Sequence, residues 1–458
     1  MKFYNLPEVK RLLIPCNLDL KAIIENNPPN FKYNLDFFYC LIDLIYERQM
    51  LDKELIGAYV HLDSRILQPL NHEYKPHLQY LVDNKILISN QHYSNTVHFC
   101  KSYKFTEQYS KSIACYVEIT DKTLLKRLKR YQTKGSANGE DYDYLRKWFF
   151  CKDLVFDAEA AEDYSSFLYL KDIAVIKENP ETRYNIRVKK IGYLASGEKW
   201  FRIDSTAGRL HTNFTNLDKE LRRFFSYQGR KLGNIDVGNS QPFLLIEILK
   251  ETYTSVQQYL TNNYYYSTPT NTNMLVNAQD SELRDVFLYI DLVVHGKLYS
   301  HLINEFERAY GQNYFGTGLD MAEKKAILKK EIIFHNLYSK VNSKARGKDL
   351  LAKLFPNVIN AFNIYKQKDY KRLSVAMQKI EADIIIKKAC KKITTEYPDV
   401  FIATIHDSIA TTEDFKDIVM QVMAQSFKES FGLIPKLNFE LWTTDDEDDD
   451  TFELMAAA

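Results

Sequence analysis

The sequence predicts a helix-rich α+β protein, and three observations predict it. Gly and Pro are scarce, 15 and 12 of 458 residues, while apolar residues recur at helical spacing through most of the chain. Two β-like runs, Lys85–Ser89 and Thr96–Phe105, follow three helix-like stretches. Two further apolar runs, far apart, each carry one carboxylate: Gly-Asn-Ile-Asp-Val-Gly-Asn-Ser-Gln-Pro (233–242) with Asp236, and Ala-Thr-Ile-His-Asp-Ser-Ile-Ala (403–410) with Asp407. A carboxylate on a buried strand is costly unless a cation compensates it. Two such strands side by side would hold two divalent cations, the arrangement that in-line phosphoryl transfer uses.

Length allows two or three domains and a sizeable core. Composition is globular, 45% hydrophobic and 26% charged. Net charge is only +1, but Asp-Asp-Glu-Asp-Asp-Asp (445–450) concentrates six negative charges, so the rest of the chain is net basic and suits a polyanion. The 32 tyrosines, in a chain also rich in Asn and Lys, fit an AT-rich coding sequence and carry no functional argument. Six scattered cysteines without a C-x-x-C pair read as reduced thiols. No signal peptide and no apolar run of about 20 residues is present, so the expectation is a soluble cytoplasmic protein without a membrane partner.

In order along the chain, residues 1–33 form an N-terminal arm that ends at Asn-Asn-Pro-Pro-Asn (26–30). Residues 34–115 contain a helix from Leu35, a second fitting 53–60, a third fitting Lys75–Asn84, and the two β-like runs joined by a polar turn at 90–95. The segment resembles the winged-helix domains of plasmid-type replication initiators, down to the Lys-Ser-Tyr-Lys-Phe (101–105) end of the second wing strand. That resemblance implies a third helix approaching the DNA major groove, with Lys75, His77 and Gln79 as contact candidates. Residues 116–200 read as a helical connector or reduced thumb. Its Lys122–Tyr131 stretch is basic, and is either a phosphate-tracking helix or a solvated face. Asp157-Ala158-Glu159 is similar to the D-x-E of proofreading exonucleases, but too few residues separate it from the next motif to house such a domain.

From 201 to 442 the motifs are dense. Gly208 in Thr206–Thr212 permits a tight turn that aims Arg209. The Asp236 strand follows, then a lysine-rich helix, Ala322–Tyr338, in which Lys330, Phe334 and Tyr338 are spaced by four and share a face. At 1.5 Å rise per residue, Lys330 and Tyr338 lie roughly 12 Å apart, about the span from a nucleotide's triphosphate to its base. A lysine there can neutralise phosphate charge while a tyrosine stacks near the base. A helix over Val375–Ile385 carries Gln378; the Asp407 strand and a closing amphipathic helix, Phe415–Phe431, come last, before an acidic tail at 443–458.

Gly-Arg-Leu, Asp-x-x-x-Ser-Gln, Lys-x-x-x-Phe-x-x-x-Tyr, Gln-x-x-x-x-Asp-Ile-Ile and His-Asp, in that order, resemble the family A polymerase superfamily, which includes repair-type DNA polymerases and phage-type single-subunit RNA polymerases. The resemblance covers about 200–440. It implies a right-hand polymerase: an antiparallel palm sheet and helical fingers inserted between the two aspartate strands. It makes Asp236 and Asp407 ligands of Mg²⁺, or Mn²⁺, and Lys330 the phosphate-binding catalytic lysine. Phe334 and Tyr338 then face the nucleotide, Arg209 and Gln378 the minor-groove side of a DNA primer–template, and His406 the primer terminus.

The match departs from the family at several positions. The arginine usual one turn before the lysine is Ala326, leaving Lys325 or Lys329 to cover that contact, and the glycine usual after the tyrosine is Ser339. Phe243 stands where DNA enzymes keep a glutamate that excludes ribose, and its ring is a candidate for the same exclusion. The four-residue step from Asp236 to Ser240 and the Ser408 after His-Asp are features of the RNA enzymes, whereas Ser-Gln is a feature of the DNA enzymes. The preferred expectation is a DNA polymerase without a proofreading domain, serving replication of a phage, plasmid or other mobile element, with deoxynucleoside triphosphates as substrates. The alternatives are a single-subunit RNA polymerase or primase-like enzyme, a DNA-binding initiator with a decayed polymerase half, and an untemplated nucleotide transferase. Protein partners are not indicated.

Overall fold

The computed structural model describes residues 9–90, 101–133, 140–262 and 281–443. The acidic run at 445–450, the turn and start of the second wing strand at 91–100, the loop at 134–139 and residues 1–8 of the arm lie outside the described residues. The chain is a helix-rich α+β protein with antiparallel sheets. None of the described helices is long and apolar enough to cross a membrane.

Two buried cores form, the first drawing on Leu12 to Leu128 and Val188. In chain order it comprises β1 (Lys10–Pro15), helices Leu20–Asn26 and Leu35–Leu51, β2 (Val60–His61), helices Ser64–Leu70 and Tyr74–Asp83, β3 (Leu87–Ser89), β4 (Ser102–Phe105), β5 (Ala114–Ile119) and helix Lys122–Thr133. Strands β2, β4 and β3 make one sheet in that order, and β1 pairs antiparallel with β5. Part of the expected arm is therefore a strand, with Leu12, Leu13 and Ile14 buried. The helix expected over 53–60 is instead a single 3-10 turn, Lys53–Leu55, broken at Gly57 with φ +72°. Helix resumes at Ser64, where Asp63 accepts the Arg65 N–H at 2.8 Å. In the Lys122–Thr133 helix, Leu124, Leu125 and Leu128 face the core, and Arg127 Nη1 donates to the Leu70 carbonyl at 2.8 Å.

The Leu35–Leu51 helix is the centre of this core. Asn34 caps it by accepting the Phe37 N–H, and Phe37, Phe38, Leu41, Ile42 and Ile45 are all buried completely. A helix apolar on every side must be enclosed, and each such side chain contributes about 1.5–3 kcal/mol. Asp43, buried within this helix, accepts from Lys189 Nζ at 2.6 Å and from the Leu13 N–H at 2.8 Å, tying the Pro180–Ala195 helix and β1 to it. Both charged side chains are about nineteen-twentieths buried. Removing one partner leaves an uncompensated ion, so Lys189→Ala should cost roughly 3–5 kcal/mol in a denaturant titration, whereas Lys189→Met with Asp43→Leu should recover much of it.

His77, expected at a DNA contact, is 1% exposed and belongs to the same core. Its ring lies among Phe31, Phe37 and Phe38, with Nδ1 against the Glu73 carbonyl and Nε2 accepting the Asn34 N–H at 3.1 Å. That pattern requires the neutral ring, and burial lowers its pKa below the usual 6.5. With the folded value depressed, the histidine's contribution to stability is whole above about 6.5 and is lost as the pH falls below it. Melting temperature should therefore drop between pH 7 and pH 5 by more in the wild type than in His77→Gln.

The second core draws on Leu145 to Trp442. It starts with helix Asp143–Phe149, β6 (Leu154–Phe156) and the antiparallel helices Ala158–Ala174 and Pro180–Ala195. Asp157 caps the first of that pair through the Ala160 N–H, a structural role for the D-x-E aspartate. Next come β7 (Phe201–Ile203), β8 (Leu210–Thr212), β9 (Phe225–Tyr227) and β10 (Arg230–Val237). After a long helical insertion the chain returns through β11 (Ala403–Ile405), β12 (Ser408–Thr412), helix Lys416–Phe431 and β13 (Leu437–Leu441). Strands run β11-β12-β10-β9-β6, all antiparallel, with β13 also paired to β10. Between β10 and β11 the described residues contain helices and no strand. Gly233 in β10 is required by packing, since a Cβ there would meet the Phe439 ring at 2.3 Å.

Candidate active site

Asp236 stands near the end of β10, paired across to Asn438 of β13. On the other side β10 pairs with β12 as far as Ile235 opposite Ile409, so the next step along brings Asp236 level with Ser408. Strands β11 and β12 close a hairpin, Ile405 opposite Ser408, whose two-residue turn is His406-Asp407. His406 takes the left-handed conformation there, φ +54°, and Ser408 Oγ ties back to the Ile405 carbonyl at 2.8 Å. Pleat and turn thus bring both aspartates to the same end of the sheet. The Asp236 carboxylate reaches solvent, yet the surrounding walls and then the Asp407 charge push its pKa up to about 6, while Lys329 and Lys219 oppose the rise. Two carboxylates held against their mutual repulsion fit a site for divalent cations. Among the described residues no group of three or more His, Cys, Asp or Glu forms a metal cage. Mg²⁺ commonly takes one or two carboxylates and completes its shell with water and substrate phosphates, which this pair suits.

The lysine-rich helix brings a charge to bear on Asp236. It begins at Met321 behind an Asp320–Glu323 capping box, passes through a π turn at Leu328–Ile333 and ends as Phe334–Tyr338. A π turn inserts one extra residue, so the face that regular α spacing assigns to Lys330 passes to Lys329. Lys329 Nζ lies 5.9 Å from the Phe334 ring centroid, and its charge is the main one opposing the Asp236 shift. Lys330 is exposed with no side-chain partner among the described residues. Counting back from Lys329, the residue one α turn earlier is Lys325 rather than Ala326. Phe334 and Tyr338 do pair as expected, centroids 5.7 Å apart.

The Tyr338 hydroxyl donates to Gln241 Oε1 at 2.8 Å. Gln241 opens the Ser240–Thr252 helix just after Asn239, whose left-handed φ of +55° turns the chain sharply out of β10. On the facing side, Asp204 accepts the N–H groups of Thr206, Ala207 and Arg209, and Gly208 at φ +74° completes the turn that aims Arg209. Arg209 makes a two-pronged ion pair with Glu381, 2.9 and 2.5 Å, on the Arg372–Ala382 helix. Glu381 is 2% exposed, and burial pushes its pKa up to about 7 against the pull of Arg209. Gln378, one turn earlier, is half-buried. Burial first and Arg209 second push the His406 imidazole down to about 4, against Asp407, so it is neutral near pH 7.

By contact or charge, Arg209, His406, Asp407, Asp236, Lys329, Phe334 and Tyr338 belong to one neighbourhood, and Gln378 lies one turn before Glu381 on the helix that Arg209 grips. Phe243 stands apart. It is wholly buried, packed on Phe427 and Phe431, because the second turn of its helix faces the sheet-covering helix rather than the cleft. A ring with no exposed face cannot exclude a ribose. Lys75 and Gln79 lie exposed on the Tyr74–Asp83 helix of the first core, with Gln79 tied to Asp83 at 2.8 Å. Sequence reasoning missed Glu381 and the placement of Lys329; the Ser-Gln dipeptide was the available signal for Gln241.

No family model matches the chain, and no curated protein matches it. Among solved structures, the POL domain of Pol1 from M. smegmatis in complex with DNA primer-template and dNTP is similar at 13% identity, over 89% of this chain and 72% of that one. The TM-score is 0.25, too low for that likeness to bear on fold or function.

Proposed function

We propose that the protein is a template-directed nucleotidyltransferase of the right-hand polymerase type, most simply a DNA polymerase of a mobile element. The observation that carries this reading is the pairing of Asp236 with Asp407 at one end of an antiparallel sheet, with a helix presenting Lys329, Phe334 and Tyr338 whose lysine charge acts on Asp236. Asp236 and Asp407 would hold the two Mg²⁺ ions, which when bound acidify a primer 3′-hydroxyl and offset phosphate charge. Lys329, with Lys325 behind it, faces the triphosphate. Phe334 and Tyr338 offer rings to the base and sugar, and Gln241 fixes the tyrosine hydroxyl. Neutral His406 sits by the primer terminus, and Arg209 and Gln378 face the minor-groove side. Closure of the lysine-bearing helix over a bound nucleotide would complete the site.

The first core supports a DNA-binding role for its own part. Its order of helix, strand, helix, helix, strand, strand with a three-stranded sheet is the one a winged helix uses, and Lys75 and Gln79 are exposed on its third helix. The testing experiment offers deoxynucleoside and nucleoside triphosphates side by side, on primed and unprimed templates, with Mg²⁺. Template-dependent extension of the primer by deoxynucleotides is expected. Unprimed synthesis from ribonucleotides would move the assignment to a primase-like RNA polymerase, and a product that ignores the template would move it to an untemplated transferase.

A further inference from the structure

A guanidinium carries five N–H donors in a rigid plane. In Arg209 the Nε–H and one Nη2–H are committed to Glu381, while Nη1 has no protein partner among the described residues. The other end of the residue is fixed as well: its backbone N–H is held by Asp204 at 2.9 Å, and a Cβ placed on Gly208 before it would lie 3.9 Å from the Ala382 side chain, next to Glu381. The guanidinium charge acts on both Tyr338, at the end of the lysine-bearing helix, and His406, in the hairpin turn.

We propose that Glu381 is a positioning residue that sets fidelity: it locks the Arg209 guanidinium in one plane so that the unpartnered Nη1 edge meets minor-groove acceptors of the terminal base pair. The proposal rests on the polymerase reading of this cleft. The minor groove presents acceptors at nearly the same place for every correctly paired base pair, whatever its sequence. A mispair displaces them. A donor held rigidly discriminates between the two placements, whereas a freely rotating arginine follows either. Two-pronged carboxylate pairing is the most orienting contact available to a guanidinium, and a buried pair is weak evidence for a stabilising purpose alone.

The test uses the full chain as wild type, Glu381→Gln, Glu381→Asp, Arg209→Ala and Arg209→Ala with Glu381→Ala. It measures kcat/KM for the next nucleotide from matched and mismatched primer termini, alongside primer–template affinity and melting temperature. In Glu381→Gln, extension from matched ends should fall roughly tenfold to a hundredfold, the worth of one charge-assisted hydrogen bond. Mismatched ends should change little, so discrimination collapses. Glu381→Asp keeps the charge but shortens the arm, and should lose discrimination while primer–template affinity stays near that of the wild type. Adding Glu381→Ala to Arg209→Ala should cost nothing further, because Glu381 acts only through the arginine; this pair also serves if the Gln variant fails to fold. An unchanged matched-to-mismatched ratio in Glu381→Gln and Glu381→Asp overturns the proposal, as does a double variant much worse than Arg209→Ala. Absence of any extension by the wild type overturns the polymerase reading instead, and the proposal with it.

Discussion

Asp407→Asn should reduce primer extension by about 10³-fold or more while leaving the protein folded and its DNA affinity intact. The substitution keeps the shape of the side chain at the tip of the β11–β12 turn and removes only its charge. Without metal, that charge is unfavourable to its neighbour, since the Asp407 carboxylate helps push Asp236 up to about 6. The variant should therefore melt no lower than the wild type in chelator. Adding Mg²⁺ should raise the wild-type melting temperature, because a ligand bound only by the folded state stabilises it, and should do little for the variant. The melting comparison separates loss of a metal site from loss of the fold. Undiminished extension by Asp407→Asn would remove the aspartate pair from the chemistry altogether.

Much of this arrangement was readable from the chain because burial and charge conflict visibly there. An apolar run that ends on a carboxylate is an anomaly in any strand, and the structure puts both anomalies, Asp236 and Asp407, at one sheet end. The two helices between them that carry Lys330 and Gln378 were legible from the sequence, as was the Phe334–Tyr338 pair four residues apart, while the helical insertion as a whole came from the family resemblance. The rest failed for separate physical reasons. A π turn leaves no mark in composition: Leu328, Ile332 and Ile333 are buried as an ordinary helix would bury them, yet the extra residue hands the polar face to Lys329. Glu381, in Lys-Ile-Glu-Ala-Asp, reads as one more solvated charge until the chain folds Arg209 against it. Phe243 was assigned by position after Asp236, but the phase of its helix decides which way a ring points, and that phase buries it. In the first core, the pairing of β1 with β5 is a contact between distant segments that local pattern does not encode, and at 53–60 Gly57 and the Asp63 cap override helical spacing.

The π turn makes the lysines the sharpest discriminator. Lys329→Ala should lower kcat/KM for the nucleotide by roughly 10²–10³-fold, the cost of removing one preorganised charge from a phosphoryl-transfer site, whereas Lys330→Ala should stay within a few-fold of wild type. Both side chains are exposed on the same helix, so neither change should unfold it, and a difference in activity reports on direction alone. Only Lys329 approaches the Phe334 ring and acts on Asp236. Its loss removes the main charge opposing the Asp236 shift, so the variant should also need a higher pH, or more Mg²⁺, to reach half of its own maximal rate. Lys329→Arg, which keeps the charge, should keep that pH dependence near the wild type even if its rate falls, because a guanidinium occupies more room than an ammonium. Should Lys330→Ala prove the more damaging change, the helix would have to engage substrate with regular α spacing, through loss of its π turn on closing.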